Sequence, residues 1–141
     1  MNDSIAWDTR DVLDPADVAA VGAGLEAHNL CAANFDEIRR SGCFARVGKT
    51  LIGGAVGRYW GTASELQELW VREDLRKSGI GSKLVAKFEE RMRELGCTLL
   101  YLETFSFQAP GFYLKLGYEI ACEFPGFPNA CSKFVMKKPL L

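Results

Sequence analysis

The sequence has no C-x-x-C pair, no run of basic residues and no apolar stretch near the roughly 20 residues a bilayer span requires. Each absence removes a class of protein. Five cysteines, Cys31, Cys43, Cys97, Cys122 and Cys131, make an odd set, and His28 is the only histidine to assist them, so neither a zinc site nor a disulfide framework is expected. They read as free thiols packed as small hydrophobes in a reducing compartment. A net charge of −1, with lysines and arginines spread along the chain, offers no stripe to neutralise a phosphate backbone, and nucleic acid is not an expected partner. The opening MNDSIAWDTRDVLDP lacks a basic segment followed by an apolar run, which points away from membranes and toward the cytoplasm.

What remains is an ordinary globular composition. The 141 residues are 48% hydrophobic and 25% charged, enough for one packed core, and residues 1–141 read as a single domain without repeat, linker or low-complexity tract.

Alternation around Ile5 and Trp7 suggests a short strand. Asp14 and Pro15 then cap a helix over Ala16 to Leu30, and Asn34 to Arg40 reads as a second short helix ended by Ser41 and Gly42. From Cys43 the period becomes two. Cys43 to Val47 and Thr50 to Tyr59 form a hairpin around Gly48 and Lys49, with Gly53, Gly54 and Gly57 marking a bulge or a close approach. A third strand, Ala63 to Val71, follows. The loop Arg72 to Ser78 leads into a helix, Gly79 to Leu95, whose apolar face carries Ile80, Leu84, Val85, Phe88 and Met92. Gly96 closes it before the buried strand Cys97 to Thr104, so strand, helix and strand imply a parallel pair. A short helix, Ala109 to Leu116, stops at Gly117. Strands around Tyr118 to Phe124 and Ser132 to Lys137 flank a turn with Pro125, Gly126, Pro128 and Asn129.

Chemistry concentrates where the third strand ends. Arg76-Lys77-Ser78-Gly79-Ile80-Gly81-Ser82 places two glycines at a helix N-terminus, where unpaired amides and the positive end of the macrodipole suit a pyrophosphate. The spacing fits neither the three-glycine dinucleotide fingerprint nor a phosphate loop ending in Gly-Lys-Ser/Thr.

Here the chain resembles the GNAT family of N-acetyltransferases, whose acetyl-CoA motif runs from a strand ending in Val through Q/R-x-x-G-x-G/A into a long helix. Val71, Arg76, Gly79 and Gly81 match it in place. The family's second pattern, N-x-x-A-x-x-F/L-Y-x-x-x-G-F/Y, is answered by the segment from Ser106 through Ala109, Phe112, Tyr113 and Gly117 to Tyr118. Ser106 stands where the family usually has Asn; it is shorter and has one proton to donate. The likeness spans Cys43 to Lys137 and is most specific between Leu66 and Tyr118.

The resemblance implies an α/β (α+β) fold: a twisted, mostly antiparallel sheet with one parallel pair at the cofactor cleft and helices on both faces. It implies transfer of an acetyl group from acetyl-CoA to a primary amine by direct attack, without metal. Main chain at Leu69, Trp70 and Val71 would meet the pantetheine arm, residues from Arg76 and Lys77 through Ser78, Gly79, Ile80 and Gly81 to Ser82 would hold the pyrophosphate, and Ser106 would assist. Tyr113 falls on the family's tyrosine as candidate general acid. Glu65 and Glu68 are candidate bases. Strict alternation puts them on opposite faces, with Glu65 sharing the face of Leu69 and Val71 and Glu68 nearer the junction, which favours Glu68 slightly.

Glu103, Tyr59 and Trp60 either line an acceptor pocket or pack as core and rim. The acceptor is a small-molecule amine or a peptide lysine, and the family habit implies a homodimer. The rival reading is a non-catalytic acyl-CoA sensor, which would keep the phosphate loop and position no base.

Overall fold

In the computed structural model, which describes residues 4–141, Asp14 starts α1 (Pro15–Ala32) by accepting a 2.9 Å bond from the Ala16 amide, and Pro15 occupies the first turn. Ahead of it, residues 4–10 form no strand. Ile5 and Trp7 alternate over too few residues to pair, and both lie exposed. The helix expected at Asn34 to Arg40 is reduced to a single 3-10 turn, Phe35–Glu37, because Arg39 already pairs with Tyr59 in the sheet. Long-range pairing overrides local propensity there. The chain divides into two compact units, one ending at Asp36 and the other spanning Glu37–Leu141. No described helix is long and apolar enough to cross a membrane.

The second unit is built on a six-stranded sheet in the order β1-β2-β3-β4-β6-β5. β1 (Arg39–Val47), β2 (Thr50–Trp60) and β3 (Ala63–Val71) form an antiparallel meander, turned first at Gly48 with φ +58°. β4 (Leu99–Phe105) runs parallel to β3, and β6 (Cys131–Pro139) joins β4 to the edge strand β5 (Glu119–Phe127). β5 is longer than its sequence suggests. Pro125 and Gly126 sit inside it at a register shift, which an edge strand tolerates because one row of its amides has no partner. The tight turn falls on Pro128–Ala130 instead, with Asn129 at φ 59°.

Between β3 and β4 runs α2 (Ile80–Glu94), which packs its predicted face on the sheet: Leu84, Val85, Phe88 and Met92 are buried against Ala55, Leu66, Leu100, Leu102 and Met136. Each such side chain contributes roughly 1.5–3 kcal/mol of transfer free energy. α3 (Pro110–Lys115) is short and ends before Gly117, at φ +93°. All five cysteines are free; Cys97 is buried, whereas Cys31 and Cys122 are exposed rather than packed as small hydrophobes.

Candidate active site

β3 and β4 stay together for only four residue pairs, from Ala63 with Leu99 to Leu66 with Leu102. Beyond them the strands continue to Val71 and Phe105 without pairing each other. The parting coincides with a bulge on the other edge of β3, where Leu66 opposes Gly57 and Glu68 opposes Val56, leaving Gln67 as an extra residue. Gly57 makes that bulge possible. A Cβ there would stand 2.0 Å from the Glu65 carbonyl oxygen and 2.7 Å from the Phe88 ring, so only glycine lets β3 and α2 approach.

The bulge also overturns strict alternation. Glu65 pairs with Arg58, Glu68 with Val56 and Trp70 with Gly54, three alternate positions on one face of β2. Glu65 and Glu68 therefore share a face, the one opposite α2, and Glu65 does not share the face of Leu69 and Val71. Leu69 and Val71 turn inward, packed against the core.

A cavity of ≈ 450 Å³ opens on the α2 side of the gap, lined by Leu69, Val71, Arg76, Lys77, Gly79, Gly81, Ser82 and Phe112 among others. Its floor is backbone. Lys77 and Gly79 both take positive φ, 63° and 85°, and among the described residues no amide from 77 to 82 donates a hydrogen bond within the chain. These amides head α2, so the arrangement is a ready anion site. Two side chains hold the loop in shape: Arg76 Nε donates to the Val71 carbonyl at 3.0 Å, and the Ser78 hydroxyl donates to the Leu75 carbonyl. Gly81 lies where a Cβ would make ordinary contact with Phe112, at 3.5 Å. Trp70 points to the opposite face, so only its main chain is available to this cavity.

A second cavity, of ≈ 590 Å³, opens on the opposite face of the same gap. Arg58, Glu65, Tyr101, Glu103, Gln108 and Lys133 are among the residues that supply its polar groups. Glu65 is paired with Arg58 at 3.6 Å, and Glu103 with Lys133 at 3.3 Å. Burial first, and the neighbouring Glu65 carboxylate second, hold the Tyr101 phenol above its ordinary range. Of the sequence candidates, Glu65 and Glu103 line this cavity and Glu68 does not. Tyr59 packs on the core, and neither it nor Trp60 contributes to the wall. Lys133 and Arg58 carry no sequence signal, since only strand pairing brings them here.

Tyr113 sits on α3, 8% exposed, with its ring edge-on to Phe112 and Tyr118. Burial pushes its phenol up to about 12. Among the described residues the hydroxyl has no hydrogen-bond partner, so its proton is available to donate. Beneath it lies a polar knot that the sequence did not reveal. Glu89, buried on α2, accepts from Tyr118 Oη at 2.9 Å and from Lys138 Nζ at 3.0 Å, while Lys138 also donates to the Leu116 carbonyl at 2.8 Å. Burial, then the Glu89 charge, raises the Tyr118 phenol far above its usual range. Ser106, at the end of β4, accepts from the Ser132 amide at 3.0 Å and lies outside the cavity linings.

A parted parallel strand pair, a nest of free amides on one side and a charged cavity on the other make a candidate cleft for an acyl-coenzyme A transferase. The comparisons agree: the profile of the Acetyltransferase (GNAT) family matches residues 9–118, and the chain belongs to that family. It is 40% identical over 91 residues to the blasticidin-S acetyltransferase of Streptomyces morookaense, covering 64% of this chain and 67% of that relative. An acetyltransferase from Bacillus cereus has the same fold, with a TM-score of 0.80, 24% identity and coverage of 94% of this chain and 97% of the other. PaiA N-acetyltransferase from Thermoplasma acidophilum, solved in complex with coenzyme A, superposes with a TM-score of 0.60 at 22% identity, covering 71% of this chain and 60% of that one. The chain is thus an acetyl-CoA-dependent N-acetyltransferase on a mixed six-stranded sheet with helices.

Proposed function

We propose that the protein acetylates a primary amine of a small molecule, the amine attacking the thioester directly. The observation that carries this reading is that the two cavities flank the same gap, one floored by free amides and the other walled by charged side chains. The named acceptor of the relative from Streptomyces morookaense, blasticidin-S, supports a small antibiotic-like molecule over a protein lysine.

In this mechanism the amides of residues 77–82 hold the pyrophosphate, with Lys77 adding charge at the rim and Arg76 keeping the loop closed on Val71. Unpaired main chain of Leu69, Trp70 and Val71 on the β4 side of β3 takes the pantetheine arm as an added strand. Ser106 keeps one hydroxyl proton for the arm, because only its oxygen is engaged. Glu65, 17% exposed in the acceptor cavity, removes a proton from the substrate ammonium, directly or through water. Glu68, outside that wall, is the second candidate. The freed amine forms a C–N bond to the acetyl carbon, and a main-chain N–H at the bulge steadies the developing oxyanion. The C–S bond then breaks as Tyr113 gives its proton to the leaving thiolate, and the surplus N–H proton of the new amide nitrogen returns through water to the Tyr113 phenolate, leaving a neutral amide and coenzyme A thiol. A phenol raised to about 12 remains protonated for that task throughout the neutral range.

The test is calorimetric titration with acetyl-CoA, followed by an amine screen that reads thiol release. Micromolar binding with amine-dependent release is expected. Failure of the intact protein to bind acetyl-CoA would overturn the reading.

A further inference from the structure

The acceptor cavity carries both signs of charge, and the more enclosed member of each ion pair has the opposite sign. In the pair from β2 and β3, the carboxylate of Glu65 is 17% exposed and its partner Arg58 47%. In the pair from β4 and β6 the order reverses: Lys133 is 29% exposed and Glu103 55%. One wall thus presents an inner carboxylate and the other an inner ammonium. Lys133 is also held in place, with its Nζ 5.3 Å from the Phe105 ring centre and 5.9 Å from that of Phe127. That support fixes the cation without neutralising it.

We infer that the acceptor is a zwitterion, whose amine lies against Glu65 and whose carboxylate lies against Lys133. One partner of each pair is about half exposed, so both pairs are weak and exchange readily for a ligand charge that excludes water from the site. A polycation would find Glu65 and Glu103 but would also meet Lys133 and Arg58, two unfavourable contacts in the same cavity. Register sets the separation. Glu65 is level with Tyr101 and Lys133 with Phe105, on strands with β4 between them, so amine and carboxylate sit several bonds apart rather than on one carbon. This inference rests on the acetyltransferase reading above, since it names the acceptor class of that same site.

The test uses matched amines with and without a carboxylate: 6-aminohexanoate against hexylamine, and lysine against cadaverine. Each is titrated into protein saturated with coenzyme A. The carboxylated member of each pair should bind at least about tenfold more tightly, the scale of one charge-assisted hydrogen bond. Lys133→Met and the milder Lys133→Gln should bring the ratio near one while coenzyme affinity stays unchanged. Equal affinity within both pairs, or no binding by any of the four, overturns the zwitterion. A preference that survives both Lys133 variants overturns the assignment of the carboxylate to Lys133. Loss of coenzyme binding by the intact protein would instead sink the acetyltransferase reading, so the two failures are separable.

Discussion

The two sides of the gap between β3 and β4 are made of different material. On the α2 side the ligand would meet peptide groups: amides of residues 77–82, shaped by Lys77 and Gly79 in the left-handed region. On the other side it would meet side chains from four strands, Arg58, Glu65, Tyr101, Glu103 and Lys133 among them. A main-chain site can only be changed by altering backbone shape, whereas a side-chain site changes with any substitution that leaves the sheet intact. Coenzyme binding should therefore respond to glycine, and acceptor choice to charge.

The largest expected effect attacks the main-chain side. Gly81→Glu has room for its Cβ, so folding should survive, but its carboxylate would sit among the amides. Acetyl-CoA affinity should fall more than about 100-fold by calorimetry, with an unchanged circular-dichroism melt; retained binding would place the pyrophosphate elsewhere. Next comes the proposed proton donor. Tyr113→Phe should lower kcat about 100-fold while leaving KM for acetyl-CoA nearly constant, because general acid catalysis is lost and binding is not. An equal fall in affinity would recast Tyr113 as a packing residue.

Tyr113 also makes an alkaline prediction. Its folded phenol is raised to about 12 from an ordinary value of 10.0, so the folded state keeps a proton that the unfolded state releases. The stability this confers is complete below pH 10 and is lost as pH rises toward about 12. Thermal melts should drop over that window and drop less in Tyr113→Phe.

Gly57→Ala tests the bulge that separates the two sides. The added carbon would meet the Glu65 carbonyl, costing about 1–3 kcal/mol by chemical denaturation and disturbing both ligands together. Smallest of all, Ser106→Ala should weaken acetyl-CoA by only about threefold on the scale of one neutral hydrogen bond, since its oxygen already serves Ser132.

The contrast between the two sides also decides what could be read from sequence. Gly79 and Gly96 announce backbone shape locally, so the loop ahead of α2 and both ends of that helix were legible, as was the apolar face from Leu84 to Met92. The hairpin at Gly48 and the parallel pair followed from periodicity. The acceptor side depends on register. Nothing near Gln67 signals an extra residue, and without it Glu65 and Glu68 fall on opposite faces. Lys133 reaches the cavity only because it pairs with Phe105, 28 positions earlier in the chain. Glu89 is a charged residue of α2 with no local signal for burial, and only the arrival of Tyr118 and Lys138 explains it.

The four-pair junction between β3 and β4 has a mechanical consequence. Among the described residues it is the one seam of strand pairing joining the meander β1–β3 to the strands β4–β6, and it is the shortest run of pairing in the sheet. A coenzyme arm lying along the free edge of β3 would extend that seam as a splint, so occupancy should slow amide exchange in both halves of the sheet at once. In that arrangement the cosubstrate would act as a removable part of the scaffold, set in place and withdrawn once per turnover.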